Sequence, residues 1–305
     1  MGKILKFDKE KGYDVSALPN YVEQHRSELI SAAVLAPRST SLFRLMPNVK
    51  GPTTLNLVDV GVNLQNGSTC GFTPDSPDVF SQRTLTPFIF KVNKEWCPLD
   101  LLNTYLAHEV EIGAGRETLP FEEKFVADIL AKVGMKVEMG LWEQLLTIVN
   151  QDENVTGTTV AQGATIYDMV KAVYMAIPAA SLRDSAILMS YGSYRSLVME
   201  LMEKNLYHYE RNVDDSMEMI LPGTNTRVIA VPGIEDGEDV ALTSTILAMN
   251  LKHVFYGFDA EDDIRNFRLW YSDDADMFRF KMRGAVGVQY AFSNEIVTVS
   301  YQGSH

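Results

Sequence analysis

At 305 residues, with 46% hydrophobic and 22% charged residues, the chain is long enough for about two compact domains and is globular in composition. A formal net charge of −13, from 40 acids against 27 bases, argues against sequence-wide affinity for nucleic acid, which needs clustered Lys and Arg. No run approaches the ~18 apolar residues of a membrane helix, and the opening MGKILKFDKEKGYD lacks the apolar core of a secretion signal, so the expectation is a cytoplasmic protein with no membrane partner. Cys70 and Cys97 fit a reducing compartment without a disulfide framework, and two thiols with no histidine nearby make a poor zinc site.

In chain order, residues 1 to 18 are charged and aperiodic, which predicts an extended arm, and Pro19 and Asn20 open a short helix, YVEQHRSELISAAVL, that stops before Pro37. Residues 51 to 90 hold only four charges, Asp59, Asp75, Asp78 and Arg83. There TTLNLVDVGVNL and RTLTPFIFKVN read as strands flanking the turn-rich QNGSTCGFTPDSP. A long hairpin with so little charge is not protected against pairing with another chain, although it could equally pack on its own domain.

After Lys91, CPLDLLNTYL reads as a helix with Pro98 at its start, and IGAGRETLP as a loop. The clearest helix spans 120 to 150, where Phe125, Ile129, Val133, Val137, Leu141, Leu145 and Ile148 recur at helical spacing and Glu122, Glu123 and Lys136 face outward. Residues 151 to 164 read as a loop, followed by the helix TIYDMVKAVYMAI, the buried strand AILMS and the helix SYRSLVMELMEKN. MEMILPGTNTRVIAVPGI predicts two strands around a PGTN turn, and TSTILAMNLKHVFYGFD and IRNFRLWYS supply further strands. From Phe278 to Tyr290 every even position is apolar or glycine, while the odd positions carry Arg279, Lys281 and Arg283 and then small or polar residues. That is a strand with one buried face, running roughly 40 Å.

Catalytic signatures are missing. The sequence has no GxxxxGK[ST] phosphate loop and no GxSxG elbow; GAGRE at 113 to 117 lacks the third glycine and preceding strand of a dinucleotide site. The expectation is no catalytic residue, no cofactor and no metal. The acidic clusters DAEDD (Asp259, Glu261, Asp262, Asp263) and DDAD (Asp273, Asp274, Asp276) read as solvated hairpin ends, because they lack the glycine and distal glutamate of a calcium loop. A metal-dependent hydrolase using Asp259, Asp262 or Asp273 with His253 is the enzymatic alternative.

The order of parts resembles the major capsid proteins of tailed double-stranded DNA bacteriophages, whose fold is shared by herpesvirus capsid floors and encapsulins. The segment from NVKGPTTLNL to KVNKEWCPLDLL is similar to the extended-loop region of that family, and RFKMRGAVGVQYAFSNEIV to its closing strands. The resemblance implies an α+β fold with an N-terminal arm (1–50), an extended β-hairpin loop (51–90), a peripheral domain (91–160 and 256–305) with spine helix 120–150, and an axial domain (161–255). It implies a shell subunit that self-assembles into pentamers and hexamers and encloses double-stranded DNA without sequence-specific binding, with a separate scaffolding protein and portal and decoration proteins as possible partners. An encapsulin-like compartment is the alternative within the fold.

Subunit-interface candidates on this reading are Leu57, Val62, Phe72, Phe80 and Arg83 in the loop, Pro222 and Asn225 at the PGTN turn, and the basic positions Arg279, Lys281 and Arg283. Some family members cross-link through a lysine in the loop, but residues 51 to 90 contain none, with Lys50 and Lys91 at its base, so no lysine-derived chainmail is expected.

Overall fold

A computed structural model describes residues 37–59, 62, 79–97, 121–206, 217–234, 246–259 and 268–301, together with Leu29. The expected N-terminal helix apart from Leu29, the hairpin tip with Phe72, the CPLDLLNTYL helix after Cys97, the IGAGRETLP loop and all of DAEDD except Asp259 lie outside these residues. The described residues fall into two compact units, one drawn from Ile89–Val137 and Asp259–Ala285, the other from Arg38–Phe88, Glu138–Phe258 and Val286–His305.

In the first unit, β11 (Arg268–Ser272) and β12 (Met277–Tyr290, whose last residues belong to the second unit) form an antiparallel hairpin with Leu269 opposite Phe280 and Tyr271 opposite Phe278. The expected alternation holds as far as Val286, with Phe278, Phe280, Met282 and Val286 buried, and from Gly287 to Tyr290 both faces are buried. The DDAD cluster makes the hairpin turn, with Asp273, Asp274 and Asp276 exposed and Asp276 in the left-handed region at φ 51°. Strand β4 (Phe88–Trp96) also pairs with β12. Its Trp96 packs edge-on against Phe125 of α1 (Phe121–Gln151) at 5.2 Å and lies 6.3 Å from Phe280.

Helix α1 matches the predicted spine helix, and at 1.5 Å per residue its 31 residues span about 46 Å. Of the expected set Val133, Val137, Leu141 and Leu145 are buried and Phe125, Ile129 and Ile148 half-buried, and the buried stripe also takes in Val126, Leu130, Trp142, Leu146 and Val149.

The second unit contains a six-stranded sheet in the order β5-β13-β9-β6-β8-β7. Its members are β5 (Thr156–Val160), β6 (Ser185–Met189), β7 (Glu218–Ile220), β8 (Arg227–Ala230), β9 (Leu247–Asn250) and β13 (Val297–Tyr301). Helices α2 (Ile166–Ala176) and α3 (Tyr191–Glu203) bury Met169, Val170, Val173, Leu197 and Leu201 in one core with Ile187, Val228, Ala248 and Val297. Thr165 and Asp168 form a reciprocal capping box at the start of α2, and the Glu200 carboxylate of α3 accepts from the Ile166 and Tyr167 amides at 3.1 and 2.7 Å, satisfying donors the helix cannot pair internally. The same unit holds β1 (Arg44–Pro47), parallel to β10 (Val254–Phe258), which pairs antiparallel with the end of β12.

Three expectations are corrected. The loop expected at 151–164 contains β5, an edge strand whose partner β13 lies at the far end of the chain, so local sequence gives little sign of it. RTLTPFIFKVN is two strands, β3 (Val79–Leu85) and β4, broken at Thr86-Pro87, where proline has no N–H for a ladder. Residues 297–301, expected with the peripheral strands, pair with β5 and β9 instead.

Candidate assembly surface

The hairpin of β2 (Thr53–Asp59) and β3 has unbroken register from Thr53↔Leu85 to Asp59↔Val79. Alternation gives it two unlike faces. Leu55, Leu57 and Leu85 are buried in a cluster with Val49 and Ala291. On the opposite face Asn56 and Gln82 are joined by a 3.0 Å side-chain hydrogen bond, and next to them Val58 lies directly across from Phe80. These two apolar side chains are 49% and 74% exposed, so adjacent cross-strand positions present a joint apolar surface to solvent.

The buried face is fastened at its base by shape and by hydrogen bonds. Gly257 and Gly287 are directly paired on β10 and β12 and leave a dent in the sheet. A Cβ on Gly257 would stand 2.8 Å from Leu85 Cδ2, and one on Gly287 2.9 Å from Pro87 Cα. Leu85, with no exposure at all, fills that dent. Gln289 Nε2 donates to the Thr84 carbonyl at 3.0 Å, and Gln144 of α1 donates to the Thr86 carbonyl at 2.7 Å while accepting from the Val288 amide at 3.0 Å.

A charged clasp completes the base. Arg83 donates to Asp152 at 2.7 Å and its guanidinium lies 4.5 Å from the centre of the Tyr290 ring, while the Tyr290 hydroxyl donates to the same carboxylate at 2.9 Å. Burial opposes ionisation of Asp152, but hydrogen bonds from Arg83, Asn154 and Tyr290 together outweigh it and hold the carboxyl down at about 2. Burial first, then the neighbouring carboxylate, pushes the Tyr290 phenol up to about 12. At neutral pH Asp152 is therefore a carboxylate and Tyr290 a neutral phenol beside Arg83.

A second anchor ties the segment before β1 to α1. The buried Glu138 carboxylate accepts from the Ser39 amide at 3.1 Å, the Ser39 hydroxyl at 2.5 Å and the Trp142 indole at 2.9 Å. Gly233 lies so close that a Cβ there would stand 2.4 Å from Trp142 Cδ1. Arg38 donates to the Ala230 carbonyl at 2.7 Å and pairs with Glu218 at 3.3 Å.

Against this geometry the ten sequence candidates separate. Val62 and Phe80 are each 74% exposed, Asn225 is exposed and Pro222 half-buried, and Phe72 lies outside the described residues. Leu57 is 8% exposed and Arg83 is committed to Asp152, so both hold the hairpin from inside the chain. Arg279 and Lys281 are half-buried and Arg283 exposed. Sequence reasoning missed Asp152, Tyr290, Glu138 and the glycine pair, although glycines inside strand patterns, and a glutamate beside Val137 and Leu141 on a buried helix face, were available signals.

For the hydrolase alternative, Asp262 lies outside the described residues and His253 Nδ1 is 2.5 Å from Glu295. Among the described residues no three His, Cys, Asp or Glu side chains gather closely enough to hold a metal ion, and no helix is long and apolar enough to cross a membrane.

No family model matches the sequence, and no curated protein matches it. Solved structures do. A chain from Mycobacterium phage Che8 aligns at TM-score 0.54 with 11% identity, over 98% of this chain and 95% of that one. A chain of the satellite phage P4 procapsid, in a structure that includes the size determination (Sid) protein, aligns at 0.53 with 10% identity, over 98% and 94%. The chain has the tailed-phage capsid fold. The virus-like particle from Pyrococcus furiosus shares the fold at 0.52 with 11% identity, over 92% and 99%. Within the capsid fold of this chain, the long helix α1, the fourteen-residue strand β12 and the β2–β3 hairpin are elements that the sequence predicted.

Proposed function

We propose that the chain is the structural subunit of a phage capsid and acts without catalysis, associating as pentamers and hexamers into an icosahedral shell around double-stranded DNA. The observation that carries this reading is fold likeness to a phage procapsid chain along nearly the whole length of both chains. The hairpin supports it. Heterologous ring contacts need a projecting surface on one copy and a receptive one on the next. With Leu85 and Arg83 fastened at its base, the hairpin presents Phe80 and Val58 outward, where a neighbouring copy would cover them.

On this reading residues 51–90 are the extended loop, the PGTN turn belongs to the axial domain, and β13 joins that domain's sheet. A separate scaffolding protein, a portal and decoration proteins are further partners, and assembly takes place in the cytoplasm of the bacterial host.

Deletion of residues 60–82 removes Phe80 but spares Arg83, Thr84 and Leu85. The expected product is a folded subunit that forms no shells; shells of normal size and yield would refute the role given to the hairpin. The likeness to the Pyrococcus furiosus particle favours a second reading, an encapsulin-like compartment. Purified shells containing protein cargo and no nucleic acid would select it.

A further inference from the structure

The first unit carries a sheet face whose charge runs against that of the chain. On β12, Arg279, Lys281 and Arg283 point away from the buried Phe278, Phe280 and Met282. On β11, Arg268 lies directly opposite Lys281, and Trp270 opposite Arg279, so these residues share the face. The Arg268 guanidinium is 5.8 Å from the centre of the Trp270 ring. From β4, Glu95 reaches Arg279 at 3.8 Å, and the exposed Lys91, four residues earlier, lies on the same side of the strand. Among the described residues of this face, five cations thus meet one carboxylate. That carboxylate is 62% exposed and neutralises little.

The arrangement does not help the isolated subunit fold, because like charges directly opposite each other across strands are destabilising. Arg268 and Lys281 are such a pair. In a chain of net charge −13, concentrating cations on one face leaves the remainder more acidic still. The body of one copy is therefore complementary in charge to this face of another. Electrostatic complementarity of this kind orients encounter and rejects the symmetric face-to-face alternative, in which five cations would oppose five. A contact between unlike surfaces is head-to-tail, the type that closes into rings. The half-buried Trp270 supplies the aromatic anchor typical of such contacts.

We infer that the basic face built from Lys91, Arg268, Arg279, Lys281 and Arg283 around Trp270 is a receptive subunit contact that takes an acidic surface of a second copy of this chain. The inference rests on the shell reading.

The test compares the full chain with a variant carrying Arg279→Glu, Lys281→Glu and Arg283→Glu, following assembly by light scattering and electron microscopy at about 0.1 M and about 0.5 M NaCl, a range over which screening strengthens. Wild type is expected to assemble, with apparent association weakened roughly tenfold or more at the higher salt. The variant is expected to stay unassembled with an unchanged thermal melt, and the charge-preserving swap Arg279→Lys with Lys281→Arg to assemble. If the reversed variant does not fold, the corresponding glutamine substitutions carry the same prediction.

Wild type that never assembles, with scaffolding protein supplied as well, would overturn the shell reading itself. A variant that assembles like wild type would overturn this inference alone. If the variant assembles normally but loses duplex DNA that wild-type protein retains, the face belongs to nucleic acid and the inference also fails.

Discussion

The pairing of Leu85 with the glycine dent gives the sharpest expectation. In Gly257→Ala the new methyl would stand 2.8 and 3.1 Å from the two Leu85 methyl carbons and 3.1 Å from Val49 Cγ2, all in a fully packed cluster. Overpacking of this kind costs about 1–3 kcal/mol. Leu85→Ala removes a side chain with no exposure and leaves a void, costing about 2–5 kcal/mol. The double variant puts a methyl where the leucine was, so the clash disappears and part of the void is filled. Its cost should fall below that of Leu85→Ala plus Gly257→Ala by at least about 1 kcal/mol, within the range known for residues in contact. Urea unfolding of unassembled protein, at fixed concentration so that association does not shift the apparent stability, measures all four corners. Strict additivity would refute the claim that Leu85 holds the hairpin by filling the dent.

The clasp predicts an acid limb. Because Asp152 is held at about 2 when folded against an ordinary 3.8, its contribution is complete above about pH 4 and is lost as pH falls towards 2; Asp152→Asn should flatten that part of the stability profile, and an unchanged profile would contradict the clasp. Glu138→Ala leaves the Trp142 indole and the Ser39 amide without this acceptor, and should lower stability by about 2–4 kcal/mol in denaturant unfolding, whereas a loss under about 0.5 kcal/mol would show that the Ser39–Glu138–Trp142 cluster is dispensable. Phe80→Ser with Val58→Ser should leave the melting temperature within a few degrees of wild type and abolish shells, because both side chains are exposed in the subunit; intact shells would remove the hairpin's outer face from the interface.

Periodic elements were legible in the sequence. The α1 stripe repeats over about seven turns and the β12 sequence alternation runs from Phe278 to Tyr290, so the local pattern alone sets their type and nearly their ends. The hairpin was legible from its turn residues and its lack of charge. What the sequence hid depends on distant partners. Strand β5 is held by β13 from 141 residues away, and Asp152 reads as one loop acid until Arg83 and Tyr290 meet over it. That Leu57 and Arg83 pack against the chain itself was hidden because residues in a charge-poor hairpin look alike in sequence; only the register shows that one face packs inward.

The most direct measurement is expression of the full chain alone, followed by size-exclusion chromatography and negative-stain electron microscopy over a range of concentrations. Closed shells, or rings with five- and six-fold symmetry, are the predicted result. A folded chain that remains monomeric throughout, and still does so with scaffolding protein supplied, would contradict the capsid reading.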